Sequence, residues 1–216
     1  TAWDDAHGIF TFRHTEPMTW WMTMPTEMPR TIEAAVAEAR RLGIPVLPPD
    51  LNKSEAGFTI ESGPEGQAIR FGLAAIKNVS STAIENIAVV RREGGAFRGV
   101  DDFCHRGDLK TINKRVLESL IKSGAMDSLA AGGTGAPQAT AQVRPRLLAA
   151  LDGAVDYGNR HQRDRDKGQA QLFGGGEDGG DSRADAPLPP AAPWADAQQL
   201  TCEKEALGLY LSGHPI

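Results

Sequence analysis

The chain has 216 residues, 40% hydrophobic and 24% charged, with a net charge of −5, which suits one large or two small globular domains. It contains no run of about 18 apolar residues, which argues against a membrane span. Two distant cysteines without a CxxC partner, and only five histidines, argue against a zinc centre and fit a reducing compartment such as the cytoplasm.

Residues 1–30 hold three of the four Trp and four of the five Met, with no clean periodicity, and no fold is read from them. From Thr31 a helix is predicted: Ile32, Ala35, Val36, Ala39 and Leu42 recur at helical spacing. Thr31 caps its start, Arg40 and Arg41 suit its last turn, and Gly43 ends it. Pro48-Pro49 then force an extended path. Residues 57–61 and 67–71 flank the turn sequence SGPEG and predict a short β-hairpin.

Two helix–tight turn–helix units follow within residues 69–129. The first has a helix over 73–77, a turn at Asn78-Val79-Ser80, and a second helix capped by Ser80 or Ser81. That helix turns Ala83, Ile84, Ile87 and Ala88 inward and ends at Gly94-Gly95. A short helix covers 100–105, and the main helix of the second unit starts near Asn113, with Val116, Leu117, Leu120 and Ile121 as its apolar stripe and Gly124 as its C-terminal turn. Residues 131–141 read as a linker, 144–157 as a helix, 159–193 as a disordered Gly/Asp/Pro-rich tract, and about 194–211 as a last helix. The chain begins at Thr1 and ends on Gly213-His214-Pro215-Ile216, and is read as an internal part of a longer protein.

Turns built from small polar residues that open a helix point free backbone N–H groups outward, and such groups bind phosphate. Charge falls in the same place. Residues 70–125 carry ten basic against six acidic side chains, so this segment is +4 while the remainder is −9. That is the footprint expected of a nucleic-acid backbone grip, although an Arg-rich solvated surface accounts for the charge equally well. Adjacent Asp101-Asp102 at a helix start read as caps, not as a metal site.

Residues 47–52 (LPPDLN), 58–61 (FTIE), 69–79 (IRFGLAAIKNV), 113–122 (NKRVLESLIK) and 203–215 (EKEALGLYLSGHP) resemble, in order, the alpha-subunit family of bacterial DNA polymerase III. The resemblance implies a mainly α fold: a tandem helix-hairpin-helix domain with one short β-hairpin, flanked by irregular and disordered segments. It implies that residues 1–52 are the end of the fingers, 53–130 the tandem helix-hairpin-helix domain, and 131–158 a linker and helix. Residues 159–193 are then a disordered linker, and 194–216 a helix leading to an oligonucleotide-binding domain.

By the same resemblance, the parent is a DNA-directed DNA polymerase using Mg²⁺ and deoxynucleotides. This segment would hold duplex DNA behind an active site whose carboxylates lie elsewhere, so no catalytic residue, metal ligand or cofactor is assigned within it. Other replicase subunits are implied partners, in the cytoplasm. The error-prone paralogue, a freestanding helix-hairpin-helix DNA-binding module and a protein-interaction scaffold remain alternatives.

The residues assigned to duplex DNA are the backbone N–H groups of Val79, Ser80 and Ser81 beside Asn78 for one phosphate, and the turn at Ser123, Gly124 and Ala125 for a second. Lys77, Arg91, Lys114, Arg115 and Lys122 are the expected basic supports, each with a plain solvated charge as the alternative. Two departures from the family stand out. Ser80 replaces a glycine, which disfavours a left-handed backbone and close phosphate approach and predicts weaker binding there. Residues 1–30 scarcely match the family beyond Thr1-Ala2, through divergence or an altered reading frame.

Gln169, Leu172 and Phe173 form a Q-x-x-L-F pattern inside the polar tract. It resembles the peptide by which bacterial polymerases hold the sliding clamp: one amide for hydrogen bonds, two adjacent apolar side chains for a pocket, and pliant flanks. The alternative is that Leu172 and Phe173 fold back onto the domain.

Overall fold

The computed structural model describes residues 2–4, 9–11, 31–63, 66–131, 140–166 and 187–213. Strands β1 (Ala2–Asp4) and β2 (Ile9–Thr11) pair antiparallel, in the region from which no fold was read. Helix α1 (Ile32–Arg41) is capped as expected, the Thr31 hydroxyl accepting the Ala34 N–H at 3.2 Å.

The hairpin is present. Strands β4 (Thr59–Gly63) and β5 (Gly66–Arg70) pair antiparallel with Ile60 opposite Ile69. The extended segment before the two prolines forms β3 (Val46–Leu47), which adds to β5 in parallel, so the sheet order is β3-β5-β4. Arg70 fixes this corner, holding Glu61 through two nitrogens at 2.7 and 2.8 Å and donating to the Pro48 carbonyl at 2.8 Å.

Four further helices follow: α2 (Ser81–Gly94), α3 (Val100–Arg106), α4 (Lys114–Ser123) and the long α5 (Thr140–Asp166), before the last, α6 (Asp196–Leu207). One apolar core joins them. Phe71, Leu73, Ile76, Ile87, Phe97, Phe103, Leu117, Leu120, Met126 and Leu147 are essentially inaccessible. Phe97 and Phe103 meet edge to face with ring centres 4.9 Å apart. Each such side chain contributes about 1.5–3 kcal/mol of apolar burial. The stripe at 116, 117, 120 and 121 is what seats α4 in this core.

Four expectations need correction. The helix expected over 73–77 is a single 3₁₀ turn, Leu73–Ala75, because Ile76 turns to extended backbone (φ −83°, ψ 124°) and buries its side chain. The helix expected over 144–157 starts earlier and continues to Asp166, so the tract read as disordered from 159 begins as helix. At the other end of that tract, the Leu188 and Pro189 carbonyls accept hydrogen bonds from Arg146. The last helix stops at Leu207 instead of Leu211, because Gly208 takes a left-handed turn (φ 82°) and Glu203 accepts the Leu211 and Ser212 N–H groups, both at 3.0 Å.

Candidate nucleic-acid interface

The first hairpin turn is set by Asn78, whose φ of 66° lies in the left-handed region that asparagine tolerates better than most residues. Ser80 itself is ordinary extended backbone (φ −78°, ψ 158°), and its hydroxyl accepts the Ala83 N–H at 3.2 Å. The backbone strain expected at Ser80 is therefore absent, since the left-handed residue stands two positions earlier. Val79 is removed from the assigned donors, because its N–H goes to the Ile76 carbonyl at 3.3 Å. The N–H groups of Ser81 and Thr82, in the first turn of α2, have no carbonyl partner four residues back within the helix.

The turn is anchored from below. The Asn78 amide donates to the Ser119 hydroxyl at 3.1 Å, and the Lys77 N–H to the Ala206 carbonyl at 2.8 Å. Ser119 is five positions along α4 from Lys114, which puts the turn about 7–8 Å, measured along the axis, from the start of α4.

The turn at 123–125, which joins α4 to a 3₁₀ turn over Asp127–Ala131, is closed on itself. Ser123 is buried with its hydroxyl on the Leu120 carbonyl at 2.9 Å. The N–H groups of Gly124 and Ala125 go to the Ile121 and Leu120 carbonyls, closing α4 with Gly124 at φ 87°. The Arg144 guanidinium lies directly on Gly124, leaving no room even for a β-carbon. Ser123 and Gly124 are therefore a covered helix end.

The loop that answers to the first turn is 107–113, between α3 and α4. Asp108 organises it. Its carboxylate accepts the Lys110 N–H at 3.0 Å, and its carbonyl accepts from Thr111 and Ile112. Ile112 plugs the core, and the Asn113 side chain caps α4 by accepting the Val116 N–H at 3.1 Å. Lys110, Asn113, Lys114 and Arg115 are exposed around this tip. Lys110 was missed from the sequence. The signal for this loop in the sequence is Asp108 followed by the Asn113 cap, at the start of α4 and not at its end.

The five assigned cations fall into three groups. Lys77 and Arg115 are exposed and paired with no acid among the described residues. Lys114 and Lys122 pair with Asp152 (2.6 Å) and Glu205 (2.8 Å), each a partly or fully solvated pair that a phosphate can displace. Arg91 is structural, donating to the Leu51 and Ser54 carbonyls at 3.0 and 2.7 Å and to Glu55 at 2.6 Å.

Asp102 does not cap the first turn of α3, which has no side-chain cap; it accepts the Arg98 N–H just before the helix and the Arg106 guanidinium, both at 3.0 Å. The Mg²⁺ implied by resemblance finds no fit here, since among the described residues no three His, Cys, Asp or Glu side chains stand together to hold an ion. Burial pushes the Cys104 thiol up to about 12, so it is inert at neutral pH. No helix among the described residues is long and apolar enough to cross a membrane. Gln169, Leu172 and Phe173 lie outside the described residues.

Residues 43–134 match the model of the helix-hairpin-helix motif family, which spans both turns. The chain is 40% identical over 185 residues to DNA polymerase III subunit alpha of Saccharopolyspora erythraea, covering 84% of this chain and 14% of that protein. It is 38% identical over 181 residues to the same subunit of Thermus aquaticus, covering 84% and 13%. With that of Pseudomonas aeruginosa it is 36% identical over 220 residues, and the match takes in the whole of this chain, residues 1–30 included, and 18% of the relative. The chain thus spans less than a fifth of the length of these curated relatives.

Proposed function

We propose, on the premise that this chain belongs to the DNA polymerase III alpha-subunit family as one segment of it, that it grips the backbone of duplex DNA without reading the bases. In a replicative polymerase this grip supports template-directed synthesis by keeping the duplex close to the enzyme. The observation that carries the reading is the pairing of two capped helix N-termini, of α2 and α4, with exposed cations at both turns.

A helix N-terminus offers unpaired N–H groups and a partial positive charge of about half a unit, both suited to a phosphate. At the first turn the donors are the N–H groups of Ser81 and Thr82, with Lys77 beside them. At the second they are the first-turn N–H groups of Lys114 and Arg115, with the side chains of Lys110 and Arg115. Phosphate contacts of this kind fix position along the duplex and carry no sequence information.

Binding of the chain to labelled duplexes of two unrelated sequences, followed against salt, tests this reading. The expected result is equal affinity for both, with log K falling against log salt at a slope of about −3 for three cation–phosphate contacts. A slope near zero contradicts it and favours a protein-interaction scaffold.

Clamp attachment through Gln169, Leu172 and Phe173 is a second part of the proposal, supported by the Q-x-x-L-F pattern. Capture of the chain by a bacterial sliding clamp should be lost in the Leu172→Ala/Phe173→Ala variant, and undiminished capture rejects it. Other replicase subunits as partners, a cytoplasmic setting and Mg²⁺ in the whole polymerase rest on the family alone. The relatives named above favour the replicative form over the error-prone paralogue and the freestanding module.

A further inference from the structure

The peptide group joining Gly107 to Asp108 opens the second hairpin loop, and two side-chain amides from different helices hold it. Asn86 of α2 accepts the Asp108 N–H through its Oδ1 at 3.0 Å. Gln162 of α5 donates through Nε2 to the Gly107 carbonyl of the same peptide group at 2.6 Å. A peptide held at both its donor and its acceptor cannot rotate without breaking one of the two bonds. The loop that follows, through Asp108 to the Asn113 cap, starts from this fixed plane.

Gln162 reaches its target because Gly158, one turn earlier on α5, packs against the backbone of Cys104 where a β-carbon would collide. That close crossing of α3 and α5 brings the Gln162 side chain to the end of α3. Neither Asn86 nor Gln162 carries charge, and neither stands at the exposed tip with Lys110 and Arg115.

We propose that Asn86 and Gln162 are positioning residues for the second phosphate contact. They clamp the Gly107–Asp108 peptide so that Lys110, Arg115 and the first N–H groups of α4 are presented together. The inference rests on the backbone grip proposed above. It gives the far half of α5 a role in DNA binding, beyond the pairing of its Asp152 with Lys114.

The experiment is a double-mutant cycle on duplex affinity at fixed salt, using the chain carrying Gln162→Ala, Arg115→Ala and Lys77→Ala singly and in pairs, with helical content checked by circular dichroism. Gln162→Ala should weaken binding about fivefold, the equivalent of one hydrogen bond of about 1 kcal/mol. The loss should be non-additive with Arg115→Ala, which acts at the same hairpin, and additive with Lys77→Ala, which acts at the other. General loosening of the fold would lower both hairpins alike and give the same additivity with either partner, which overturns the proposal. So does wild-type affinity in Gln162→Ala while Arg115→Ala still weakens binding, and there the brace alone fails. If the wild-type chain shows no salt-dependent duplex binding, the grip fails and the brace falls with it. Asn86→Ala supplies an independent check, with the same pattern expected if Gln162→Ala loses helical content.

Discussion

The two hairpins reach a similar end by different routes. The first is short and depends on its neighbours: one 3₁₀ turn, a left-handed Asn78, and anchors to Ser119 and Ala206 on two other helices. The second is longer: Asp108 and Asn113 organise its loop from within, and Asn86 of α2 and Gln162 of α5 hold its opening peptide from outside. Among the described residues, the first presents one cation with no acid partner, Lys77, and the second two, Lys110 and Arg115. A turn held by tertiary contacts tolerates a serine where relatives are expected to have glycine, because the left-handed strain is taken by the neighbouring asparagine. The second hairpin is then expected to carry more of the phosphate contact.

The strongest way to break the comparison is to remove the support both hairpins share. Arg144 is buried, holding Asp127 through Nη2 at 3.0 Å and Glu203 through Nη1 at 3.1 Å, and it covers the end of α4. Arg144→Ala leaves two acids without their cation and should cost about 3–5 kcal/mol in urea unfolding. A loss below about 1 kcal/mol would mean the end of α4 is not held as described. Leu117→Ala, in the core under both units, should cost about 2–5 kcal/mol by the same measurement.

A pH effect separates this shared support from the hairpins. Burial pushes the Asp127 carboxyl up to about 6, against the pull of Arg144. Burial also raises Glu203, but the bonds from Ser212, the charge of Arg144 and the Leu211 N–H outweigh it and leave that carboxyl lowered. One arginine thus serves two acids, and Asp127 is the one that takes up a proton. Its folded value lies above the unfolded value of 3.8, so its contribution to stability is full below about 3.8 and is lost as pH rises through about 6. The stability of the wild type relative to Asp127→Asn should therefore fall between about pH 4 and pH 7, as followed by thermal unfolding. A flat difference would contradict it.

The smallest effect sharpens the first hairpin alone. Ser80→Ala removes the cap on Ala83 and should cost about 1 kcal/mol, whereas Ser80→Gly should cost only a few tenths. If Ser80→Gly raises duplex affinity several-fold, close phosphate approach does limit this turn. An unchanged affinity supports the hydroxyl serving as an adequate substitute.

The parts legible in the sequence are those whose determinants are local. Thr31 and Gly43 bound α1, the apolar stripe from Val116 to Ile121 declares α4, and the two runs around SGPEG declare the hairpin. The parts that were not legible depend on distant residues. Gly124 looks like an open turn until Arg144, twenty positions later, is found lying on it. Residues 159–166 carry no apolar stripe, and their helix follows from α5 packing on α3 through Gly158, which no local period reveals. The prolines declare Val46-Leu47 extended, but its parallel pairing with β5 joins segments more than twenty residues apart. Among the site residues, Lys77, Ser81 and Arg115 stand exposed at the turns, while the burial of Ser123 and the tethering of Arg91 became visible only once the chain was folded.

The proposed grip uses two unequal hairpins, the second holding phosphate more firmly. The most direct measurement is the salt dependence of duplex binding for Lys77→Ala and for Lys110→Ala/Arg115→Ala, each against the wild type. The predicted result is a slope shallower by about one for the single variant and by about two for the double variant, with weakening independent of DNA sequence. An unchanged slope in the double variant, or a larger change from Lys77→Ala alone, would contradict the claim.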